Sequence, residues 1–306
     1  MRGTLMKLVV GTRGSALATR QTADVVAALQ SLHPDLVVET RIIQTKGDLT
    51  QAENIPLASF GDKGIFAREL ESALLAGEID FAVHSMKDLA HTLPEGLTIA
   101  AIPERQDPRD VIIGRTLGEL SAPGLRIGTG SARRRALLFS RFPDLTAHEI
   151  RGNIDTRLRK LRDGGYDAII LAMAGLARLG LQDQVTEALD PEWFVPDPGQ
   201  GALAIQTRAG DNRVIDLVSA LTHRETQLAV EAERSFLRAV GGGCHTPVGA
   251  LAIVSGGTIT LSAMLAASES ARATVLLRAS ESAPIDEALS LGTRVARALT
   301  DRNNPT

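Results

Sequence analysis

Short apolar runs alternate with amphipathic helical stretches through roughly residue 210 of the sequence. The segment KLVVGTRGSALATRQTADVVAALQ, residues 7–30, predicts a strand, a tight glycine turn and a helix. The runs IDFAVHSMKD, LTIAAIP and DVIIGR predict further strands. Strands that alternate with helices are typical of α/β layers built around a largely parallel sheet. The fold class that the pattern predicts is therefore α/β.

The pattern starts again after Pro123 with LRIGTGSARRRALLFSRF, which predicts two similar, doubly wound lobes joined near residues 100–110. The proline- and glycine-rich segment DPEWFVPDPGQG then leads into a strand-like run, so we expect the chain to cross back to the first lobe there. From about residue 220 a helix, a glycine loop, alternating strands and a final helix predict a small α+β domain. Because 306 residues exceed one ordinary core, we predict three domains: residues 1–102 with 202–219, residues 103–201, and residues 220–306.

Several classes of protein are disfavoured by composition. The longest apolar run, AIILAMAGLA, is far shorter than the roughly 20 residues of a membrane span. No signal-peptide pattern follows Met1, so we expect a cytoplasmic protein without a membrane partner. A net charge of −3 with one tryptophan and one tyrosine offers neither a basic field nor a stacking platform for nucleic acid.

Four predicted turns place small or polar residues and basic side chains where a strand ends and a helix begins. Helix N-termini attract anions, and open α/β sheets bind ligands at the carboxyl ends of their strands. Arginine accounts for 28 of the 33 basic residues, and its planar fork suits carboxylates. Taken by itself, the excess is better explained by a GC-rich genome, so only the positions of the arginines favour an anion site. The side chains at these turns are Arg13, Ser15, Lys63, Thr129, Ser131, Arg133, Arg134, Arg151 and Arg157.

Two further residues point to chemistry. Asp88 follows the predicted strand in VHSMKD, and a carboxylate in an arginine-rich crevice indicates a cationic centre or N–H donor that it meets during reaction. Cys244, the only cysteine, lies in RAVGGGCHTPVGA, whose glycines permit close approach of a bulky group to the sulfur. Neither a disulfide nor a structural zinc cluster is open to a single thiol. A tethering thiol suits this loop better than a nucleophile that turns over.

The motifs VHSMKD, ERQDPRD, GTGSARRR, EIRGNIDTRL, DAIILAMAGLARLGL, DPGQGALAIQTR and GGGCHTPVGA, in this order and spacing, make the chain resemble the hydroxymethylbilane synthase (porphobilinogen deaminase) family. The resemblance runs from Gly11 to about Gly249. It implies a transferase of tetrapyrrole (haem and chlorophyll) biosynthesis. Such an enzyme condenses four porphobilinogen molecules, with loss of ammonia, to 1-hydroxymethylbilane on a dipyrromethane cofactor held by a thioether to Cys244.

The resemblance also implies roles for individual residues, and it implies no metal. Asp88 falls on the catalytic carboxylate. Ala90 stands where the family commonly has proline, and Gly130 where a serine is usual. Cofactor-binding positions are Cys244, Ser85, Lys87, Thr129, Ser131, Arg133 and Arg134. Substrate-binding positions are Arg13, Ser15, Lys63, Arg151, Arg157, Arg178 and Gln200.

Two other functions remain open from the residues themselves. The paired lobes, an arrangement like that of type II periplasmic binding proteins, suit a binding protein for a small anion, because fold does not fix function. A small-anion binding protein would leave Cys244 without a functional role. A cysteine-dependent acyl transferase would need a base beside the thiol, which sequence spacing neither shows nor excludes. In each case the expected partner is a small molecule and the expected state is a monomer.

Overall fold

The computed structural model of the protein describes residues 6–45, 67–241, 247–266 and 275–303. Two predicted site residues, Lys63 and Cys244, lie outside the described residues. Among the helices of the described segments, none has both the length and the apolar character needed to cross a bilayer.

A five-stranded sheet, in the order β2-β1-β3-β10-β4, forms the first lobe. Strand β1 is parallel to β2 and β3, whereas β10 is antiparallel to both of its neighbours. The sheet is covered by helices, so its central strands are buried on both faces and are rich in Leu, Val, Ile and Phe. The strands are β1 (Met6–Thr12), β2 (Leu36–Ile42), β3 (Phe81–Ser85), β4 (Leu97–Ala101) and β10 (Leu203–Arg208), and the helices are α1 (Ala16–Leu32), α2 (Arg68–Leu75) and α6 (Asn212–Ser219).

The second lobe repeats this design with the strand order β7-β6-β8-β5-β9. Strand β6 is parallel to β7 and β8, and β5 is antiparallel to β8 and β9. Its strands are β5 (Asp110–Ile113), β6 (Arg126–Gly128), β7 (Thr146–His148), β8 (Ala168–Ala172) and β9 (Glu187–Ala188), and its helices are α3 (Ala132–Arg141), α4 (Ile154–Arg162) and α5 (Met173–Arg178).

Each sheet therefore contains one antiparallel strand, and in both lobes it is the strand that the chain enters after a crossing. The chain first crosses between the lobes after β4, and β5 is the first strand of the second lobe. It crosses back after β9, and β10 then lies between β3 and β4 in the first sheet. The prediction of two similar α/β lobes is confirmed, and β10 (Leu203–Arg208) belongs to the sheet of the first lobe. The sheets are less uniformly parallel than expected, because a strand that arrives from another lobe is not bound by the βαβ crossover rule.

The C-terminal part is a three-stranded antiparallel sheet, β11-β12-β13, with two long helices. Its core joins Phe236 on one helix to Leu261 on the sheet and Leu291 on the other helix. A Cβ at Gly292 would lie 2.6 Å from the backbone N of Phe236, so glycine permits the close helix contact. The elements are α7 (Arg224–Ala239), β11 (Val248–Ser255), β12 (Thr258–Ala266), β13 (Leu276–Pro284) and α8 (Ala288–Asn303). The expected small α+β region is confirmed.

The chain divides into two compact units. The first contains residues up to Arg105 and residues 202–227, and the second contains residues 106–201 and everything from Leu228 onward. The first lobe thus forms one unit, and the second lobe shares a unit with the C-terminal sheet. The finer division into three domains, with the boundaries given above, stays a prediction.

Candidate functional site

The turn after β1 places two predicted site residues at the start of a helix. Ser15 caps α1, because its Oγ accepts a hydrogen bond of 3.2 Å from the backbone N–H of Ala18. Arg13, two residues earlier, is half-buried. A polar cap and a cation therefore flank the N-terminus of α1, as the sequence predicts.

The turn after β3 holds the predicted catalytic residue in the same unit. Residues Met86–Asp88 form one turn of 3₁₀ helix, which is anchored by the buried side chain of Met86 and by its N–H bond of 3.0 Å to the carbonyl of Ala202. The partly exposed carboxylate of Asp88 makes no hydrogen bond or ion pair with the described residues. Its negative charge is therefore available to a ligand. Lys87 lies beside it and is also partly exposed.

Two buried polar residues lie behind this turn, and one of them, Gln21, was not singled out from the sequence. Gln21 on α1 is buried, and its Nε2 donates a hydrogen bond of 3.0 Å to Ser85 Oγ, so it fixes the side chain at the end of β3. His84, at the end of β3, is also buried. Burial is the main cause that lowers its pKa to about 4; the charge of Arg13 acts in the same direction, and the neighbouring Gln206 opposes it. The ring is therefore neutral at physiological pH.

The second unit contains the predicted arginine-rich turn between β6 and α3. Ser131 caps α3, because its Oγ accepts a hydrogen bond of 3.3 Å from the backbone N–H of Arg134. The hydroxyl of Thr129, which is fully buried, accepts a 3.2 Å bond from the N–H of Ser131. These bonds fix the backbone at the helix start and therefore the directions in which Arg133 and Arg134 leave it.

A single buried carboxylate faces both of these arginines. Arg133 Nη2 lies 2.7 Å from Asp110 Oδ2, and Arg134 Nη2 lies 2.7 Å from Oδ1. Gln200 Nε2 donates to the same Oδ1 at 3.0 Å. Burial raises the pKa of Asp110, but the two guanidinium groups and Gln200 outweigh it and hold the pKa at about 2. Asp110 is the other site residue that sequence reasoning missed. An acid at the head of the apolar run DVII was the available signal, since a buried carboxylate needs partners.

The arginine cluster keeps an excess of positive charge. Arg133 also donates to the carbonyl of Val195 at 2.7 Å, and Arg134 to that of Ile170 at 2.8 Å, so Asp110 is their only anionic partner in the described chain. Arg133 is 4% exposed, and its Nε has no hydrogen-bond partner among the described residues. Two buried cations thus share one anion and leave a donor unused. A carboxylate of a ligand would balance the excess positive charge and accept a hydrogen bond from the unused donor.

The remaining predicted binding residues lie in the same unit. Arg157 donates from Nε to the carbonyl of Gly152 at 2.7 Å, and Arg178 donates from Nη2 to that of Gly201 at 2.7 Å. Arg151 forms an ion pair with Glu149. Burial and, to a smaller extent, the nearby charge of Arg134 together lower the pKa of Arg157 to about 10. Two predicted ligand arginines therefore lie close enough to repel each other, as expected where a polyanion binds.

Two further observations complete the description of these turns. Asn153 precedes α4 at the cap position, but its side chain makes no capping hydrogen bond. Among the described residues, no group of three or more His, Cys, Asp or Glu side chains is arranged to hold a metal ion. The arrangement therefore offers carboxylate recognition in one unit and an unpaired carboxylate, Asp88, in the other.

Two family models together cover most of the chain. The model described as "Porphobilinogen deaminase, dipyromethane cofactor binding domain" matches residues 8–216. The chain belongs to the porphobilinogen deaminase family. The model of the porphobilinogen deaminase C-terminal domain matches residues 227–301, the range that contains Cys244. The resemblance seen in the sequence motifs is confirmed.

Individual relatives agree with this assignment. A porphobilinogen deaminase of Syntrophobacter fumaroxidans is 48% identical over 295 residues, which cover 95% of this chain and 94% of the relative. The porphobilinogen deaminase of Thermus thermophilus is 45% identical over 293 residues, with 95% and 94% covered. A solved periplasmic binding protein of Salmonella typhimurium with high arginine specificity covers 72% of this chain and 94% of its own, at 13% identity and a TM-score of 0.40. Similarity at that level carries no functional conclusion. Family membership favours the porphobilinogen deaminase reading over a small-anion binding protein.

Proposed function

We propose that this chain is a hydroxymethylbilane synthase, a transferase that joins four porphobilinogen molecules head to tail, with loss of ammonia, into 1-hydroxymethylbilane. The observation that carries the proposal is the buried cluster in which Arg133 and Arg134 share one carboxylate, in a chain of the porphobilinogen deaminase family. Every pyrrole of the growing chain carries an acetate and a propionate. Guanidinium groups at a helix start are suited to hold such carboxylates.

The proposal includes a dipyrromethane cofactor joined to Cys244 by a thioether. The group would supply the pyrrole carbon to which the first substrate is linked. The donor set of the second unit fits its carboxylates, because a buried guanidinium donor of Arg133 lacks a partner among the described residues and the cluster keeps net positive charge. Ser131, Thr129, Arg133 and Arg134 would hold the cofactor. The resemblance also assigns Ser85 and Lys87, from the turn after β3, to the cofactor.

Asp88 performs the central electrostatic role in this scheme. Porphobilinogen loses its aminomethyl nitrogen as ammonia, which leaves a cation delocalised onto the pyrrole nitrogen. A carboxylate beside that N–H stabilises the cation, and it can accept the proton released when the new carbon–carbon bond forms. The absence of a described partner for Asp88 supports this role, since an ion pair would already have neutralised it. Arg13, Ser15, Lys63, Arg151, Arg157, Arg178 and Gln200 would bind the substrate and the growing chain.

Intact mass and turnover of paired variants test the proposal. In Asp88→Asn, we expect elongation to slow by about 10²-fold or more, because the shape is kept and the charge is lost. The cofactor mass should remain attached in this variant. Asp35→Asn makes the same change at an exposed position of the first unit and should behave as wild type.

Cys244→Ser should lack the cofactor mass and the activity. An active wild-type protein that weighs no more than its polypeptide would refute the thioether. Undiminished turnover of Asp88→Asn would refute the catalytic carboxylate.

The proposal also includes a cytoplasmic location and a monomeric state, both of which rest on the sequence expectation. Light scattering of the purified, active protein at micromolar concentration checks the second point. A mass of one chain is expected, and a stable dimer would contradict it.

A further inference from the structure

Asp110 occupies an unusual place for a carboxylate. It is the first residue of β5, a strand whose four residues are all buried, and its own exposed fraction is 0%. A buried carboxylate costs several kcal/mol unless it is paired and hydrogen-bonded. The partners that meet this cost are Arg133, Arg134 and Gln200. All three are among the residues that the resemblance assigns to the cofactor or the substrate.

The geometry restrains the two arginines in a way that the helix alone cannot. Successive residues of an α-helix point about 100° apart, so Arg133 and Arg134 would diverge from the start of α3. Instead, each guanidinium meets a different oxygen of the same carboxylate, at 2.7 Å. Arg134 adds a second bond, from Nε to Oδ1 at 3.1 Å. One carboxylate therefore sets the orientation of both forks.

The same carboxylate fixes the amide of Gln200. Its Nε2 donates to Asp110 Oδ1 at 3.0 Å and to the carbonyl of Pro108 at 2.7 Å. Gln200 belongs to the segment by which the chain returns to the first lobe, whereas Pro108 belongs to the first crossing. Asp110 thus joins the start of α3 to both crossing segments, all within the second unit.

We propose that Asp110 is a positioning residue of the anion site: it aligns the guanidinium groups of Arg133 and Arg134 and leaves their combined charge at +1, so that one ligand carboxylate completes the cluster. This role rests on the proposed function, because the ligand carboxylates are those of the pyrrole chain. Asp110 does not itself touch the ligand. It acts through the arginines that do.

Two variants of Asp110 and one matched control separate alignment from folding. Asp110→Glu keeps the charge but displaces both guanidinium groups, and Asp110→Asn keeps the shape but leaves two buried cations without an anion. Asp107→Asn removes a carboxylate three residues away that pairs with Arg109 instead, at 2.6 Å. For each purified variant, the fraction of chains with the cofactor mass, the KM for porphobilinogen, kcat and the thermal unfolding midpoint are measured.

We expect Asp110→Glu to fold and to raise KM about tenfold or to lower the cofactor-loaded fraction by a similar factor, because charge-assisted bonds require alignment. Asp107→Asn should have the same KM and the same cofactor-loaded fraction as wild type. A merely structural role would lower kcat through loss of folded protein and leave KM unchanged. Wild-type KM and cofactor loading in a folded Asp110→Glu would therefore overturn the inference, even if Asp110→Asn fails to fold.

The outcome for the wild type keeps this test distinct from that of the proposed function. If wild-type protein has neither the cofactor mass nor turnover of porphobilinogen, the proposed function fails and the positioning role fails with it. If wild type has both and the Asp110 variants equal Asp107→Asn, only the positioning role is wrong.

Discussion

The buried imidazole of His84 makes the stability of the protein depend on pH in a predictable direction. Its pKa lies at about 4 in the folded protein, lowered first by burial, against an ordinary value of 6.5. Above pH 6.5 the ring is neutral in both states. Between pH 6.5 and about 4, the unfolded chain binds a proton that the folded protein does not bind. Lowering the pH through this window therefore favours unfolding.

The size of the effect follows from the pKa difference. Each pH unit in the window costs about 1.4 kcal/mol, so the free energy of unfolding should fall by about 3 kcal/mol across it through His84 alone. Asp110 does not contribute to this loss, because its pKa of about 2 and its ordinary value of 3.8 both lie below the window. Below pH 4 the ring is protonated in both the folded and the unfolded state, so His84 causes no further change in the free energy of unfolding.

Urea unfolding at a series of pH values measures the effect by difference. His84→Gln keeps an amide that can donate and accept hydrogen bonds but does not titrate, so its unfolding free energy should vary less steeply between pH 6.5 and 4. The difference in slope should be close to one proton. His148→Gln removes an exposed imidazole from β7 and serves as the control, with a slope like that of wild type. Parallel curves for wild type and His84→Gln would refute the reasoning.

Two glycines give contrasting predictions, one of little change in stability and one of a clear loss. Gly130→Ser, which restores the hydroxyl usual in the family, should change the free energy of unfolding by no more than about 0.5 kcal/mol. The added Cβ would lie 3.4 Å from the carbonyl oxygen of Ile150, and the backbone at this residue is not left-handed. Thermal unfolding measures the effect, and a large loss of stability would contradict the prediction. Gly292→Ala should lower the free energy of unfolding by about 1–3 kcal/mol. The added Cβ would lie 2.6 Å from the backbone N of Phe236, too close for the two helices to keep their contact. An unchanged melting temperature would show that α7 and α8 can move apart without loss of stability.

Local features of the sequence determined the elements and their ends. The alternation of apolar runs and amphipathic stretches specified strands and helices, because burial of one or both faces imposes a period on the chain. Ser15 and Ser131 were predictable helix starts, since a hydroxyl at the cap bonds an N–H only three residues away. The family motifs, which are also contiguous in sequence, identified Asp88 and Cys244 as the residues to test.

Tertiary structure decided what depends on residues far apart in the chain. The pairing of Asp110 with Arg134 spans 24 residues and that with Gln200 spans 90, and the motif ERQDPRD does not reveal either partner. The burial of His84 and the insertion of β10 between β3 and β4 depend likewise on which surfaces meet. A local pattern fixes which face of an element is apolar, whereas charge pairing, desolvation and strand order arise only when distant elements pack together.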